Sequence, residues 1–213
     1  MKIRNKFHLP DEDTHFNGDD YQVQHRFNSV KESTKKQRFG TAIDVGAHVG
    51  TWAVDLARYF EHVICFEPIL EHRECLIKNM EIFKPSRYSI LPYALGDEDN
   101  KTIHLNYMSE GNSGTASIDT EGKYEAKLFT LDSFNYDKID YLKVDIEGFE
   151  LQFLKGATET IKRTKPVMNI EIKNTCERFD VSPSDVKDYI SDELKMICVN
   201  NTVKDYVYIY SEE

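Results

Sequence analysis

The chain alternates between short apolar, β-branched runs and longer stretches in which apolar residues recur at helical spacing. The run 41–45 has the composition of a strand buried on both faces, and Trp52 and Leu56 then begin one stripe of a helix. Gly46 and Gly50 separate the two patterns. The sequence therefore predicts a strand, a glycine turn and a helix, with the turn at the carboxyl end of the strand.

Further elements follow in the same alternation. Apolar or alternating runs predict strands at 62–67, 88–95, 101–107, 124–131, 139–145 and 165–173. Helical spacing predicts helices at 20–38, 70–83, 151–161 and 182–194, the last begun by a capping serine and a proline. Two short runs, 195–199 and 206–210, lie close enough to pair as an antiparallel C-terminal hairpin. This order predicts an α/β fold with a mostly parallel sheet.

Residues 1–40 differ from the rest of the chain. Positions 1–19 lack periodicity and are rich in Asp, Asn, Gly and Pro, which predicts an irregular arm ahead of the helix at 20–38. A chain of 213 residues is long enough for one α/β domain with a full core and too short for two. We therefore expect an N-terminal arm and helix over 1–40 and a single domain over 41–213.

Composition and charge narrow the functional classes. No apolar stretch approaches the ~20 residues that cross a bilayer, and no signal-peptide core follows Met1. The four cysteines have no paired spacing, which predicts free thiols in a reducing, cytoplasmic compartment. A net charge of −10 counts against a general nucleic-acid binder, since phosphate contacts need a basic surface. We expect a cytoplasmic protein with neither a membrane span nor a nucleic-acid partner; these features do not specify an oligomeric state.

The turn at Gly46 and Gly50 has the features of a nucleotide-cofactor loop. Glycines let the backbone approach a ligand closely, and the first helical turn offers unpaired N–H groups. Glu67 ends the next strand 21 residues after Gly46, where an acid can bind both ribose hydroxyls of an adenosine. Asp44 would repel a phosphate, so a neutral or cationic cofactor fits better. An ordinary strand-turn-helix bend with a solvated Glu67 is the alternative.

Acidic residues end three successive predicted strands. Asp97 follows the strand at 88–95, which places it at the same rim as Asp44 and Glu67, and such a rim fits a nucleoside. Beyond it, the polar loop 108–117 is interpreted equally well as a cover over a pocket and as a long hairpin connection.

Three more carboxylates lie at the ends of the next two parallel strands. Asp145 and Glu147 are two residues apart, so they share one side if the strand geometry persists. Val144 and Ile146 then face the other way. Glu171 lies near the end of the neighbouring strand, which predicts that the three carboxylates come together.

Five segments together resemble the FkbM-type S-adenosylmethionine-dependent methyltransferases. They are Ile43-Asp-Val-Gly-Ala-His-Val-Gly50, Phe66-Glu-Pro68, Ala94-Leu-Gly-Asp97, Thr130-Leu-Asp-Ser-Phe134 and 139–157. The last is the most specific, since Asp-x-Glu-Gly-x-Glu leads into Leu-Lys-Gly-Ala at one strand-to-helix junction. The resemblance covers 41–173 and departs from the family pattern at His48, where the family usually has asparagine, and in part at 112–117.

The resemblance implies a Rossmann-like class I methyltransferase fold, a doubly wound sheet of seven strands with helices on both faces and an antiparallel last strand. It also implies S-adenosylmethionine as the cofactor and methyl transfer to a hydroxyl, often on a sugar, a glycan or a small natural product. The cofactor-binding residues expected from the motifs are Asp44, Gly46, Ala47, His48, Gly50, Thr51, Glu67, Pro68, Ala94, Leu95, Asp97 and Asp145.

The charge of this cofactor agrees with an acidic rim, because a sulfonium is cationic and carries no phosphate. Methyl transfer needs an aligned acceptor oxygen and a base that removes its proton. We expect Asp145 near the methionine end of the cofactor and Glu147 or Glu171 as the base. His48 is an alternative base, since imidazole titrates near neutral pH.

Other interpretations stay open at this stage. Glu147 and Glu150 would also favour the first turn of a helix, and Asp145 would cap it. Three carboxylates also suit Mg²⁺, although nothing in their spacing requires a metal and none is expected. The alternative functions are a nicotinamide-dependent oxidoreductase, which the missing third glycine and Asp44 disfavour, and a non-catalytic cofactor-binding module.

Overall fold

A computed structural model describes residues 1–16 and 39–211 of the chain. Its strands are, in chain order, β1 (Lys2–Arg4), β2 (Phe7–Leu9), β3 (Phe39–Val45), β4 (Phe60–Phe66), β5 (Tyr88–Leu91), β6 (Tyr93–Leu95), β7 (Lys101–Tyr107), β8 (Ala116–Ile118), β9 (Tyr124–Phe129), β10 (Tyr141–Val144), β11 (Val167–Glu171), β12 (Met196–Asn201) and β13 (Asp205–Tyr210). Its α-helices are α1 (Thr51–Tyr59), α2 (Leu70–Met80), α3 (Glu150–Lys155), α4 (Thr158–Thr164) and α5 (Pro183–Asp188). The helix predicted at 20–38 lies outside the described residues.

Seven strands form the main sheet in the order β12-β13-β11-β10-β3-β4-β5. The five strands from β11 to β5 are parallel to one another. β13, the last strand, is antiparallel to both of its neighbours, β11 and β12, and lies between them. The predicted mostly parallel sheet with an inserted antiparallel hairpin strand is therefore confirmed.

Both faces of the central strands are buried, which explains their β-branched and apolar composition. In the parallel pair β3–β10, Ala42 lies opposite Tyr141 and Ile43 opposite Leu142. Ile43 and Leu142 belong to a core that α3, α4 and α5 cover, whereas Ala42 and Tyr141 belong to a second core beneath α1 and α2. Helices therefore lie on both faces of the sheet, as predicted.

A second sheet of four strands, in the order β6-β9-β7-β8, stands beside the main one. The strand predicted at 88–95 is divided at Pro92, so that β5 pairs in the main sheet and β6 in the second sheet. Proline has no N–H to donate to a strand ladder, which makes it a natural point of division. The strand predicted at 124–131 ends earlier, at Phe129.

The helix predicted at 151–161 is two helices, α3 and α4, separated at Gly156 and Ala157. A side chain on Gly156 would place its Cβ 1.9 Å from the carbonyl oxygen of Gly96. This close backbone contact with the segment that follows β6 requires glycine at that point.

The predicted start of the helix after Ser182 is confirmed. Ser182 and Asp185 form a capping box, with Pro183 at the first helical position. Val186 and Ile190 are fully buried, as the spacing predicted.

The N-terminal arm is more ordered than its composition predicts. Residues 2–9 form an antiparallel hairpin of β1 and β2. The backbone N–H and carbonyl of His8 both bond to the Asn79 amide of α2, and Leu9, Phe16 and Cys75 pack in one small cluster. These long-range contacts, which a local pattern does not reveal, attach the arm to the domain.

The cysteines are all free, as their scattered spacing predicted. Among the described residues, no helix combines the length and apolar character that a membrane span requires.

Candidate active site

An inner pocket opens at the carboxyl ends of β3, β4 and β10, where the second sheet meets the main one. Ten of the residues singled out from the sequence line it: Gly46, Ala47, His48, Thr51, Glu67, Pro68, Ala94, Leu95, Asp145 and Glu147. Tyr93, Leu105 and Phe149 give it an apolar wall. The structure thus brings the motif residues of four strand ends to one cavity.

Three of the expected cofactor contacts do not line this pocket. Asp44 is buried in the sheet beneath it, and Gly50 packs against Leu76, whose Cδ1 a Cβ would approach to 2.4 Å. Asp97 is exposed. Because β6 belongs to the second sheet, the turn after it leaves the rim, so the expected rim of three strand-end acids is wrong. Glu67 is the acid of the three that reaches the pocket.

Burial and the neighbouring charges of Asp145 and Glu67 disfavour the ionised form of Asp44. Its pKa is raised to about 7 by burial, which the nearby charge of Lys143 only partly offsets. Asp44 lies beside Lys143 in the parallel pair β3–β10, with Asn169 on the other side of Lys143. The three therefore form a polar row inside the sheet, below the pocket floor.

The glycine loop depends on left-handed backbone conformations. Gly46 has φ +76°, Gly50 has φ +91° and His48 has φ +50°. A Cβ on Gly46 would lie 2.0 Å from the carbonyl oxygen of Asp145. The N–H groups of Gly46 and Ala47 both donate to the carbonyl of Phe66, at 3.0 and 3.1 Å. The loop is thereby held between the ends of β4 and β10.

Glu67 organises the loop from the tip of β4. Its Oε2 accepts from the backbone N–H of His48 at 2.8 Å. Its Oε1 accepts from the N–H of Ile69 at 2.9 Å and from Nδ1 of His72 at 3.2 Å. Burial opposes ionisation of Glu67, but these partners outweigh it and lower its pKa. Glu67 is therefore an ionised carboxylate with acceptor capacity left on Oε2.

The three carboxylates predicted to come together do so around a lysine. Oxygens of Asp145, Glu147 and Glu171 lie within 4.8 Å of one another. Lys173 Nζ lies 2.9 Å from Glu147 Oε1, 2.8 Å from Glu171 Oε2 and 3.9 Å from Asp145 Oδ1. On the other side, Lys143 Nζ is 3.4 Å from Asp145 Oδ2. Two lysine ammonium groups thus partly neutralise the charge of the three carboxylates.

The pKa values of the three carboxyl groups shift in different directions. Burial opposes the charge of Asp145, but Lys143 and Lys173 outweigh it and hold its pKa well below the usual range. Burial, together with the charge of Asp145, raises the pKa of Glu171 to about 8 and also raises the pKa of Glu147. Near neutral pH Glu171 therefore keeps its proton while Asp145 stays ionised.

The strand geometry does not persist through this junction, so the condition for Asp145 and Glu147 to share one side of a strand is not met. β10 ends at Val144, and Glu147 has φ +53°, so Ile146 lines the same pocket as its acidic neighbours. The helix-capping interpretation of Asp145 is wrong, because α3 begins after Phe149 without a side-chain cap. Glu150 instead accepts from the N–H of Gly148 at 3.1 Å and stabilises the turn.

A second, outer pocket adjoins the inner one. The inner pocket encloses about 890 Å³ and the outer about 1240 Å³, both including space open to solvent. Their shared wall consists of His48, Trp52, Gly114, Asp145 and Glu147. Glu171 and Lys173 line only the outer pocket, together with residues of the N-terminal arm. The two cavities thus meet at the carboxylate cluster and the glycine loop.

The loop 108–117 fulfils both interpretations of its sequence. It connects β7 to β8, which pair as an antiparallel hairpin. Ser113 and Gly114, in its short 3-10 turn, line the inner pocket, and Asn112 lines the outer one. The hairpin connection therefore forms a wall of both cavities.

Several residues of the site were missed from the sequence. Lys143 and Lys173 are the counter-ions of the carboxylate cluster. Lys143 could have been noticed in the sequence, because it is a lysine inside the apolar run 139–145. Asp13 and Ser113 form a hydrogen bond although they lie 100 residues apart in the sequence, and no local pattern indicates this contact.

Comparisons with known proteins point to one family. A family model described as "Methyltransferase FkbM domain" matches residues 44–208. Over 153 residues the chain is 29% identical to the hexuronic acid methyltransferase AglP of Haloferax volcanii, a match that covers 70% of this chain and 60% of AglP. The chain thus spans less than two thirds of the length of that relative.

Solved structures show the same fold. The crystal structure of the methyltransferase FkbM from Methylobacillus flagellatus superposes with a TM-score of 0.57 at 20% identity, covering 81% of this chain and 44% of that one. A protein from Streptococcus mutans, described as a methyltransferase and solved in complex with SAH, superposes with a TM-score of 0.52 at 10% identity, covering 88% and 94%.

Proposed function

The chain belongs to the FkbM methyltransferase domain family, and we propose that it transfers the methyl group of S-adenosylmethionine to a hydroxyl of a sugar, a glycan or a small natural product. In this proposal residues 41–213 form the methyltransferase domain. The observation that carries it is the pair of adjoining pockets, whose shared wall holds a carboxylate suited to remove a proton.

The inner pocket suits the cofactor. Glu67 is ionised and keeps acceptor capacity on Oε2 for a ribose hydroxyl. Gly46 lines this pocket and packs directly on the carbonyl oxygen of Asp145, which brings the glycine loop and the end of β10 together at the pocket edge. Asp145 keeps its negative charge at the end that borders the outer pocket, where the cationic, amino-acid part of the cofactor would lie. S-adenosylmethionine supplies the methyl group itself.

We assign the outer pocket to the acceptor, and Glu147 is the base that the geometry favours. Of the two glutamates expected from the sequence, Glu147 lines both pockets, whereas Glu171 lines the outer one alone. Lys173 orients the Glu147 carboxylate through a 2.9 Å hydrogen bond. Burial and the charge of Asp145 raise the pKa of Glu147, which strengthens it as a proton acceptor.

His48 is less suited to be the base. Burial and the neighbouring ring of His72 lower the pKa of His48 to about 3, so its imidazole is neutral and only weakly basic. A neutral imidazole beside the acceptor is better suited to hydrogen bonding than to proton removal.

The acceptor class is supported by the relative AglP, a hexuronic acid methyltransferase. A sugar presents several hydroxyls, and the outer pocket presents carboxylates, lysines and hydroxyls as hydrogen-bond partners for them. A hexuronic acid also carries a carboxylate, so methyl ether and methyl ester products must be told apart.

Labelled methyl transfer tests this function. We expect the protein to move the radiolabelled methyl group of S-adenosylmethionine to sugars, uronic acids or polyols, and the label to survive mild alkali, which cleaves esters but not ethers. In parallel, calorimetry is expected to show binding of S-adenosylmethionine and SAH but not of NADH. The proposal would be overturned if the protein bound NADH and neither S-adenosylmethionine nor SAH, or if mild alkali released the transferred label.

A further inference from the structure

A chain of hydrogen bonds links the N-terminal arm to the shared wall of the two pockets. His48 Nε2 lies 2.7 Å from Ser113 Oγ. Ser113 Oγ donates a short hydrogen bond to Asp13 Oδ2, which also accepts from the backbone N–H of Ser113 at 3.1 Å. Asp13 and Ser113 are each only 2% exposed. These hydrogen bonds are thus buried behind the His48 ring.

The available donors determine which atoms of Asp13, Ser113 and His48 carry protons. Burial opposes the charge of Asp13, but the hydroxyl of Ser113 and the N–H groups of Phe16 and Ser113 outweigh it and lower its pKa. An ionised carboxylate only accepts, so the single hydroxyl proton of Ser113 goes to Asp13. Ser113 Oγ must therefore accept from His48, and Nε2 carries the ring proton.

The other ring nitrogen is left for a bound molecule. His48 is neutral, because burial and His72 outweigh the attraction of Glu67, Asp13 and Asp145 and lower its pKa to about 3. Nδ1 therefore bears a lone pair. It has no hydrogen-bond partner within residues 1–16 and 39–211, and His48 lines both pockets.

We propose that Asp13 and Ser113 are positioning residues that fix the His48 tautomer, so that Nδ1 accepts a hydrogen bond from a hydroxyl of the acceptor. This inference rests on the proposed function. Since Glu147 shares the wall with His48, the acceptor that fits presents two neighbouring hydroxyls, one to each residue. A vicinal diol such as that of a sugar ring has this arrangement.

The arm is held firmly enough for this role. The backbone N–H of Thr14 donates to the carbonyl of Gly111 at 2.8 Å, and Arg4 Nη1 donates to the carbonyl of Phe16 at 3.0 Å. Asp13 also lies outside the segment that matches the family model, which begins at residue 44. The positioning carboxylate is therefore a feature of this chain beyond the matched domain.

Nuclear magnetic resonance of the His48 ring tests the tautomer without turnover. Long-range proton–nitrogen spectra are expected to show the proton on Nε2 in the wild type. In Asp13→Asn the new amide donates to Ser113 Oγ, whose proton then turns to His48 Nε2 and moves the ring proton to Nδ1. A ring proton on Nδ1 in the wild type, or an unchanged tautomer in Asp13→Asn, would overturn the inference.

Kinetics with matched variants provide the second readout. Asp13→Asn and Ser113→Ala are expected to lower kcat/KM for the acceptor about 10–100-fold, since a buried hydrogen bond loses its partner. SAH affinity should stay unchanged, and Asp11→Asn, an exposed acid of the same arm, should behave as the wild type. An acceptor without the second hydroxyl should show no effect of Asp13→Asn.

The outcomes separate this inference from the function beneath it. If no hydroxyl compound is methylated, the proposed function fails, whatever the spectra show. If methylation occurs and Asp13→Asn matches Asp11→Asn in kcat/KM, the positioning role is wrong and the function stands.

Discussion

Replacing Glu147 by glutamine is expected to lower kcat by about 10²–10⁴-fold and to leave SAH affinity nearly unchanged. The amide keeps the shape of the side chain and the contact with Lys173, but it accepts no proton. Steady-state kinetics and calorimetry measure the two effects. Glu125→Gln, on the exposed side of β9, is the matched control and should retain full activity.

A companion variant separates the two glutamates of the cluster. Glu171→Gln is expected to reduce kcat less than Glu147→Gln, because Glu171 lines only the outer pocket. A larger loss in Glu171→Gln, with near-normal turnover in Glu147→Gln, would transfer the role of base to Glu171.

The pH dependence of kcat examines the same cluster. Burial and the charge of Asp145 raise the pKa of Glu171 to about 8, so the cluster keeps a proton below that pH. The carboxyl groups titrate as a unit, and their ionised form, which accepts the acceptor's proton, grows as the pH rises. Wild-type kcat should therefore rise through about pH 8 and level off above it, and Glu147→Gln should remove most of the rise. A flat wild-type profile would contradict this role.

The second large effect is expected from Gly46→Ala. Its Cβ would lie 2.0 Å from the carbonyl oxygen of Asp145, at a φ of +76° that disfavours any side chain. The loop and the end of β10 must then separate, which we expect to abolish SAH binding and to lower the free energy of unfolding by about 2–4 kcal/mol. Calorimetry and thermal denaturation measure these changes.

Gly114→Ala is the matched control for stability. Its nearest neighbour would be Asn112 Oδ1 at 3.4 Å, an ordinary contact, and Gly114 has no positive φ. Unfolding free energy close to the wild type is expected for Gly114→Ala. Equal SAH binding by Gly46→Ala and the wild type would show that the glycine loop does not hold the cofactor.

Much of the main sheet was predictable from the sequence because its strands are short, apolar and separated by helical patterns. The run 41–45, the turn at Gly46 and the acid at Glu67 are local signals, and the structure places them at one cavity. The second sheet was not predictable, since the division of one apolar run at Pro92 into two sheets depends on which strands each half meets.

The site itself combines local and distant features. Asp145, Glu147 and Glu171 end neighbouring parallel strands, so their meeting follows from topology. The proton distribution among them does not, because it depends on Lys143 and Lys173 and on burial. Similarly, Asp97 follows a strand as Glu67 does but is exposed, since its strand belongs to another sheet.

A crystal structure with SAH tests the central claim most directly, namely that the inner pocket holds the cofactor and the outer pocket the acceptor. We predict ribose hydroxyls on Glu67, the amino-acid part beside Asp145, and the sulfur at the wall where His48 and Glu147 border both pockets. SAH in the outer pocket, or bound with its sulfur away from that wall, would contradict the account.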